Sequence, residues 1–194
     1  MPKIVDHEAY RKELLGKAFT LFAAQGYARV TMRAMARALG VSTGTLYHYF
    51  DTKEAIFLGV VRHVADRDVA LAIEQVQGAS GHTEQFRRLL AFVREHAANL
   101  RNFLYLVIDF HRQSEDPSGR DIIARTVAFY REAIRQQLGG DTHDEARAAL
   151  LLNALIGALV QEALDPEAPP LETQLTLVER LFVDLEGSLP ATGT

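Results

Sequence analysis

The sequence predicts an all-α protein: a small N-terminal helix-turn-helix unit followed by a larger helical body, about nine helices in all. Three observations carry this. Ala, Leu, Arg, Glu and Gln recur throughout, while Gly and Pro are sparse between about 53 and 138. Apolar residues return at steps of three and four. Clusters of Gly, Pro, Asp and Ser interrupt that period at helix-length intervals.

Taken in order, Asp6–Gln25 carries Tyr10, Leu14, Ala18, Leu21 and Phe22 at helical spacing, and Gly26 is a natural stop. Thr31 suits the N-cap of a short helix, Met32–Leu39, with Met32, Met35, Ala36 and Leu39 as its buried stripe and Gly40 at its end. Ser42 suits the cap of a second short helix, Thr43–Phe50. Asp51 and Glu54 have capping-box spacing and open a long helix to about Gln77. Gly78–Gly81 reads as a linker. Further helices are expected at about 83–100, 101–114, 119–138, 143–164 and 171–188, separated by Asp116-Pro117-Ser118-Gly119, Gly139-Gly140-Asp141 and Asp165 through Pro170. Phe103–Phe110 has strand-like composition, yet no turn signals bound it and no partner strand exists, so it reads as helix.

A chain of 194 residues, 48% apolar and 24% charged, can bury a core in one domain or two small ones, here 1–52 and 53–194. It has no cysteine, which excludes disulfides and thiolate metal sites and fits a reducing cytoplasm. Met1–Arg11 is polar and does not read as a secretory leader. The longest apolar run, Ala148–Val160, is interrupted by Asn153 and falls short of the ~18 residues a membrane span needs, so none is expected. The net charge of −4 hides an asymmetry. Residues 1–55 hold 8 Lys or Arg against 5 Asp or Glu, and the rest hold 13 against 20. A basic head on an acidic body suits a phosphate-contacting end.

Two short helices joined by Gly40-Val41-Ser42 describe a helix-turn-helix. In its second helix Leu46 and Phe50 point to the core with Val41. Thr43, Gly44, Thr45, Tyr47, His48 and Tyr49 remain for the outer face, where hydroxyls bind phosphate or base edges. Gly44 lets backbone approach closely. Lys53 opposes the dipole of the helix it opens, which a bound phosphate would explain. The run Thr31-Met32-Arg33-Ala34-Met35-Ala36-Arg37-Ala38-Leu39-Gly40-Val41-Ser42-Thr43-Gly44-Thr45-Leu46-Tyr47-His48-Tyr49-Phe50-Asp51-Thr52-Lys53-Glu54, with Phe22 and Gly26-Tyr27 before it, resembles the DNA-binding segment of TetR/AcrR-family regulators. The resemblance covers about residues 8–60. It implies a cytoplasmic homodimer, usually a repressor, that binds double-stranded DNA at a palindromic operator and is released by a small molecule. It also implies phosphate anchors at Thr31, Lys53 and Tyr49, with Arg33, Thr43, Thr45 and Tyr47 near base edges. Ser42, Gly44 and His48 complete the expected DNA-facing set.

The body carries no motif. Its helix 143–164 is apolar nearly all round, and Leu171, Leu175, Val178, Phe182, Leu185 and Leu189 form a seam on the last helix. Leu151, Leu155, Ala158, Leu159, Val178, Phe182 and Leu185 are the expected dimer interface. Phe92, His96, Phe103, Tyr105, Asp109, Phe110, Phe129 and Tyr130 are the candidate lining for a largely apolar effector with a polar end. Two rival readings are open to the sequence. A carboxylate-bridged di-metal enzyme wants Glu-x-x-His on two helices, and no Glu here has His three residues later. A DNA-binding protein with no small-molecule site differs only in having a filled core. No catalytic residue, cofactor or metal is expected.

Overall fold

The computed structural model describes residues 6–113, 117–137 and 143–188, with 117–118, 143–144 and 184–188 described by backbone alone. These form eight α-helices and no strand: α1 His7–Gln25, α2 Met32–Leu39, α3 Thr43–Tyr49, α4 Lys53–Val76, α5 His82–Gln113, α6 Pro117–Gln137, α7 His143–Leu164 and α8 Leu171–Ser188. The count falls one below expectation because the segments expected at 83–100 and 101–114 are one helix, α5. No Gly or Pro lies between them, so nothing breaks the ladder. Asp6 caps α1, its carboxylate accepting from Glu8 N at 3.0 Å and Ala9 N at 3.1 Å. At α4 the cap is Thr52, whose Oγ1 accepts from Ala55 N at 2.9 Å. The expected Asp51–Glu54 box is therefore displaced by one residue; both residue types cap, and the helix starts where Thr52 reaches the third amide.

The residues group into two compact units, one running through Asp68 and joined by Asn102–Ala128, the other Val69–Arg101 with Phe129 onward. α4, α5 and α6 thus each give residues to both.

In the first unit Leu14, Leu15, Ala18, Phe19 and Phe22 of α1 are buried with Met35, Ala36, Leu39, Leu46 and Phe50, and with Ile56, Phe57, Val60, Val61 and Val64 of α4. Its centre is aromatic. Phe57 and Phe110 stack at 3.9 Å between centroids, Tyr27 meets both edge-on at 5.1 and 4.9 Å, and Phe22 meets Phe57 edge-on at 5.9 Å. Phe103 packs edge-on against Phe19 at 6.3 Å.

In the second unit α7 packs on α8. Leu151, Leu155, Ala158 and Leu159 are buried there, as are Leu171, Leu175, Val178 and Phe182, whose ring stacks on Phe86 at 5.4 Å. Glu162 joins three helices: its Oε2 accepts from Arg101 of α5 at 2.6 Å, and its Oε1 accepts from Leu171 N, at the start of α8, at 3.3 Å. Glu145–Leu164 has a mean hydropathy of 1.4, so by length and composition α7 is apolar enough to cross a membrane, contrary to expectation. The apolar residues continue past the Ala148–Val160 run, and only 28% of the stretch is buried within the chain.

Phe110, 1% exposed, has one face on Phe57 and an edge of Tyr27 against it. Phe110→Ala should cost about 3–5 kcal/mol of unfolding free energy, the usual toll for an emptied aromatic site. Tyr105→Ala on the same helix, 37% exposed, should cost under ~1 kcal/mol. Urea unfolding of both variants checks the contrast.

Candidate nucleic-acid interface

Local capping builds the turn. Thr31 Oγ1 accepts from Ala34 N at 3.2 Å and starts α2. Gly40 ends it in the left-handed region, φ 72° and ψ 29°. Its N–H donates to Arg37 O at 3.2 Å and Val41 N–H donates to Ala36 O at 3.0 Å, a Schellman closure. A side chain at Gly40 would meet open space, so the backbone angle alone favours glycine. Ser42 then caps α3, accepting from Thr45 N at 2.9 Å, and its Oγ lies 2.8 Å from Thr45 Oγ1. Leu46 is fully buried and Phe50 is 3% exposed as the C-cap.

That registry decides what α3 shows to solvent. Ser42, Thr43, Gly44, Tyr47 and His48 are exposed, and Thr45 is half-buried. Tyr47 is 52% exposed, an unusual position for a large aromatic with no partner in the fold. At Gly44 an added Cβ would meet only Ser42 Oγ, at an ordinary 3.6 Å, so packing does not require glycine there. Close approach of something outside the chain explains it better.

Two expected anchors are held by the protein itself. Lys53 Nζ donates to Tyr27 O at 3.1 Å and lies 4.2 Å from the centre of the Tyr27 ring. This offsets an ammonium in the first turn of a helix without appeal to Glu54, and leaves N–H protons for another acceptor. Burial, then the Glu54 carboxylate, push the Tyr27 hydroxyl above its ordinary range, so the ring stays neutral. Tyr49 packs back on α1. Its ring meets Tyr10 edge-on at 5.5 Å, and its hydroxyl lies 2.9 Å from His7 Nδ1. Arg11 sits over the Phe50 ring at 5.0 Å. The sequence marks Tyr10 in the α1 stripe and Tyr27 beside the motif, and leaves open that Tyr49 packs on the first helix, but it does not show which of His7, Tyr10, Arg11 and Tyr27 meet which partner, because those contacts join residues far apart in the chain.

Electrostatics separate the head from the body. Arg29, Arg33 and Arg37 are exposed, and none forms an ion pair among the described residues. In the body, Arg87 pairs with Glu179, Arg88 with Glu84, Arg94 with Glu172, Arg101 with Glu162 and Arg135 with Glu132. The Arg135 and Gln136 hydrogen bonds hold the Glu132 carboxyl down at about 2. Several body arginines are thus paired with acidic neighbours, while in the head Lys17 pairs with Glu13 and Arg29, Arg33 and Arg37 stand exposed.

The candidate effector and interface residues fall differently from expectation. Phe103 and Phe110 are core of the first unit, with Tyr105 37% exposed and Asp109 accepting from Gln113 beside them. In the second unit Phe92 stacks on His96 at 4.4 Å, and His96 Nδ1 lies 3.0 Å from Phe92 O. Phe129 is 40% exposed, with the half-buried Tyr130 ring 6.3 Å away. The eight residues therefore divide four and four between the units. Leu151, Leu155, Ala158, Leu159, Val178 and Phe182, expected at a subunit interface, are already covered inside the single chain, because α7 and α8 bury them against each other. The side chain of Leu185, and Leu189, lie outside the described residues. What α7 and α8 leave open is a second stripe: Leu150, Asn153, Gly157, Gln161 and Leu164 on one helix, Leu177 and Leu181 on the other.

Comparison with known proteins bears on this geometry. The sequence profile of bacterial regulatory proteins of the tetR family matches residues 14–60. A helix-turn-helix transcriptional repressor of Mycobacterium tuberculosis is 30% identical over 186 residues, covering 92% of this chain and 97% of that protein. The helix-turn-helix regulator BetI of Brucella abortus is 27% identical over 190 residues, 92% of each chain. Among solved structures, a transcriptional regulator of Pseudomonas aeruginosa superposes with a TM-score of 0.74 at 20% identity, covering 95% of this chain and 94% of that one. The regulator FadR of Bacillus subtilis, solved with stearoyl-CoA, gives 0.71 at 16% identity, covering 90% and 97%.

Proposed function

This chain belongs to the TetR family of bacterial transcriptional regulators, and we propose that it represses from a palindromic operator, which it leaves when a small, largely apolar molecule binds its body. The observation that carries the DNA assignment is the outer face of α3, where Thr43, Gly44, Tyr47 and His48 stand exposed, near a segment whose Arg29, Arg33 and Arg37 lack ion-pair partners among the described residues. Base edges are read by Thr43, Thr45, Tyr47 and Arg33. Phosphates are held by the caps at Thr31 and Ser42, by Lys53 and by Tyr49. The protein works in the cytoplasm, where its DNA is.

Half-sites in an inverted repeat require a two-fold dimer. The open stripe of α7 and α8 supports one: Leu150 is 54% exposed, Leu164 73%, Leu177 52% and Leu181 63%, and nothing lies near Gly157. An apolar helix only partly covered by its own chain is explained by a second copy, with Gly157 allowing close approach. The effector reading rests on the second unit, where Phe92, His96, Phe129 and Tyr130 combine rings with polar ends. The Bacillus subtilis neighbour holds stearoyl-CoA, an apolar chain with a polar end, which supports an effector of that kind.

Selection from random DNA should recover an inverted repeat, and recovery of no motif would sink the assignment. Lys53→Ala should weaken binding to every sequence and lower the salt slope by about one unit per half-site, whereas Arg33→Ala should relax preference at particular base pairs. A uniform loss from Arg33→Ala would assign that residue to the backbone instead.

Sedimentation at micromolar concentration should show a dimer. Joint replacement Leu177→Glu and Leu181→Glu should give folded monomers with weakened binding to the repeat, since both side chains are exposed in the single chain. A wild-type monomer that binds the full repeat tightly contradicts the dimer.

Amphipathic acyl compounds should raise the melting temperature and lower DNA affinity together, because a ligand shifts the protein only by its differential affinity and the coupling is reciprocal. Compounds that stabilise the protein yet leave DNA affinity unchanged would refute release by the effector.

A further inference from the structure

We propose that His7, in the first turn of α1, is a positioning residue for DNA binding: it sets the direction of the Tyr49 hydroxyl proton and thereby links operator binding to proton uptake. The inference rests on the reading that α3 faces DNA with Tyr49 on a phosphate.

The geometry is a short chain of contacts across two helices. Tyr49 Oη lies 2.9 Å from His7 Nδ1, and both groups are at the surface. The Tyr49 ring is fixed on one edge by Tyr10 at 5.5 Å and by His48 at 5.1 Å, which leaves its hydroxyl little freedom except in the proton's direction. A tyrosine hydroxyl has one proton to give and a phosphate can only accept. When His7 Nδ1 carries no proton, Tyr49 donates to it and has nothing left for the phosphate. When Nδ1 carries a proton, it donates to the Tyr49 oxygen and the hydroxyl proton turns outward. The phosphate contact therefore selects the Nδ1–H states of His7. The imidazolium always satisfies that condition and adds a cation at the phosphate, whereas the neutral ring satisfies it in one of its two tautomers.

The charged surroundings do not override this. Among the described residues the titratable and charged groups near His7 include His48, with ring centroids 6.2 Å apart, Tyr49, which it touches, and Arg11, one turn on along α1. On its own helix His7 follows Asp6, whose Oδ1 is taken by the amides of Glu8 and Ala9, and precedes Glu8. No carboxylate forms a salt bridge with His7 among the described residues. The sign follows from linkage: a complex that favours the protonated ring takes up a proton on binding, so its affinity rises as pH falls.

The test uses the full chain, the inverted repeat recovered by selection, fixed salt, and fluorescence anisotropy from pH 8 to pH 6. Wild-type affinity should rise about three- to tenfold on acidification, the span of one hydrogen bond. His7→Gln and Tyr49→Phe should each flatten that profile, the double variant should be no worse than Tyr49→Phe alone, and His111→Gln, at an exposed histidine of α5 outside the interface, should keep the dependence. Helical circular dichroism at each pH confirms that the variants are folded. A wild-type profile retained in His7→Gln, a His7 effect undiminished in the Tyr49→Phe background, or a flat profile from His111→Gln overturns the proposal. Tight wild-type binding with no pH dependence also overturns it and leaves the DNA-reading assignment standing. A protein that binds no duplex at any pH removes both.

Discussion

Tyr27 lies where the chain turns from α1 toward α2, and the packing of the DNA-binding unit depends on it. Its ring closes the cluster made by Phe22, Phe57 and Phe110, and its carbonyl accepts the Lys53 ammonium that opens α4. Three helices distant in sequence are thereby tied to one residue. Aromatic edges and faces attract only in a narrow set of arrangements, so the cluster fixes orientation as well as burying area. With α1 and α4 fixed, the short helices α2 and α3 need only local caps to find their places.

Long helices run through both compact units. The structure shows α4, α5 and α6 each giving residues to both compact units, with Phe110 of α5 inside the aromatic core of the head. α5 runs from His82 to Gln113 without interruption, so His96 in one unit and Phe110 in the other belong to the same hydrogen-bonded ladder.

What was legible in the sequence was what is local. Thr31, Gly40 and Ser42 act on amides within five residues, so their spacing reveals α2, the turn and α3 without knowledge of the rest. Thr52 took the place expected for Asp51 because both side chains cap, and periodicity does not distinguish neighbours. The body was less legible for a physical reason. The period of apolar residues says that Leu151, Leu155, Val178 and Phe182 are covered, and not by whom. A neighbouring helix and a second subunit present the same surface to a leucine. Here the neighbouring helix takes that seam, and the open positions are Leu150, Leu177 and Leu181, one step round. In the same way the period marks Phe103 and Phe110 as covered and does not say by what; in the structure Phe19 packs on the first and Phe57 on the second.

The turn at Gly40 closes the end of α2 with backbone atoms alone, Gly40 N–H to Arg37 O and Val41 N–H to Ala36 O. α3 is anchored inward by Leu46 and Phe50 and at its start by Ser42. Thr43, Gly44 and Tyr47 are left exposed, while His48, also exposed, touches the Tyr49 ring. On the proposed reading of α3 such a division separates heritable stability from heritable specificity: substitutions at Thr43 and Tyr47 would retarget the regulator while Leu46, Phe50 and the Ser42 cap keep the helix in place, so duplicated copies of such a gene could diverge in what they control before they diverge in shape.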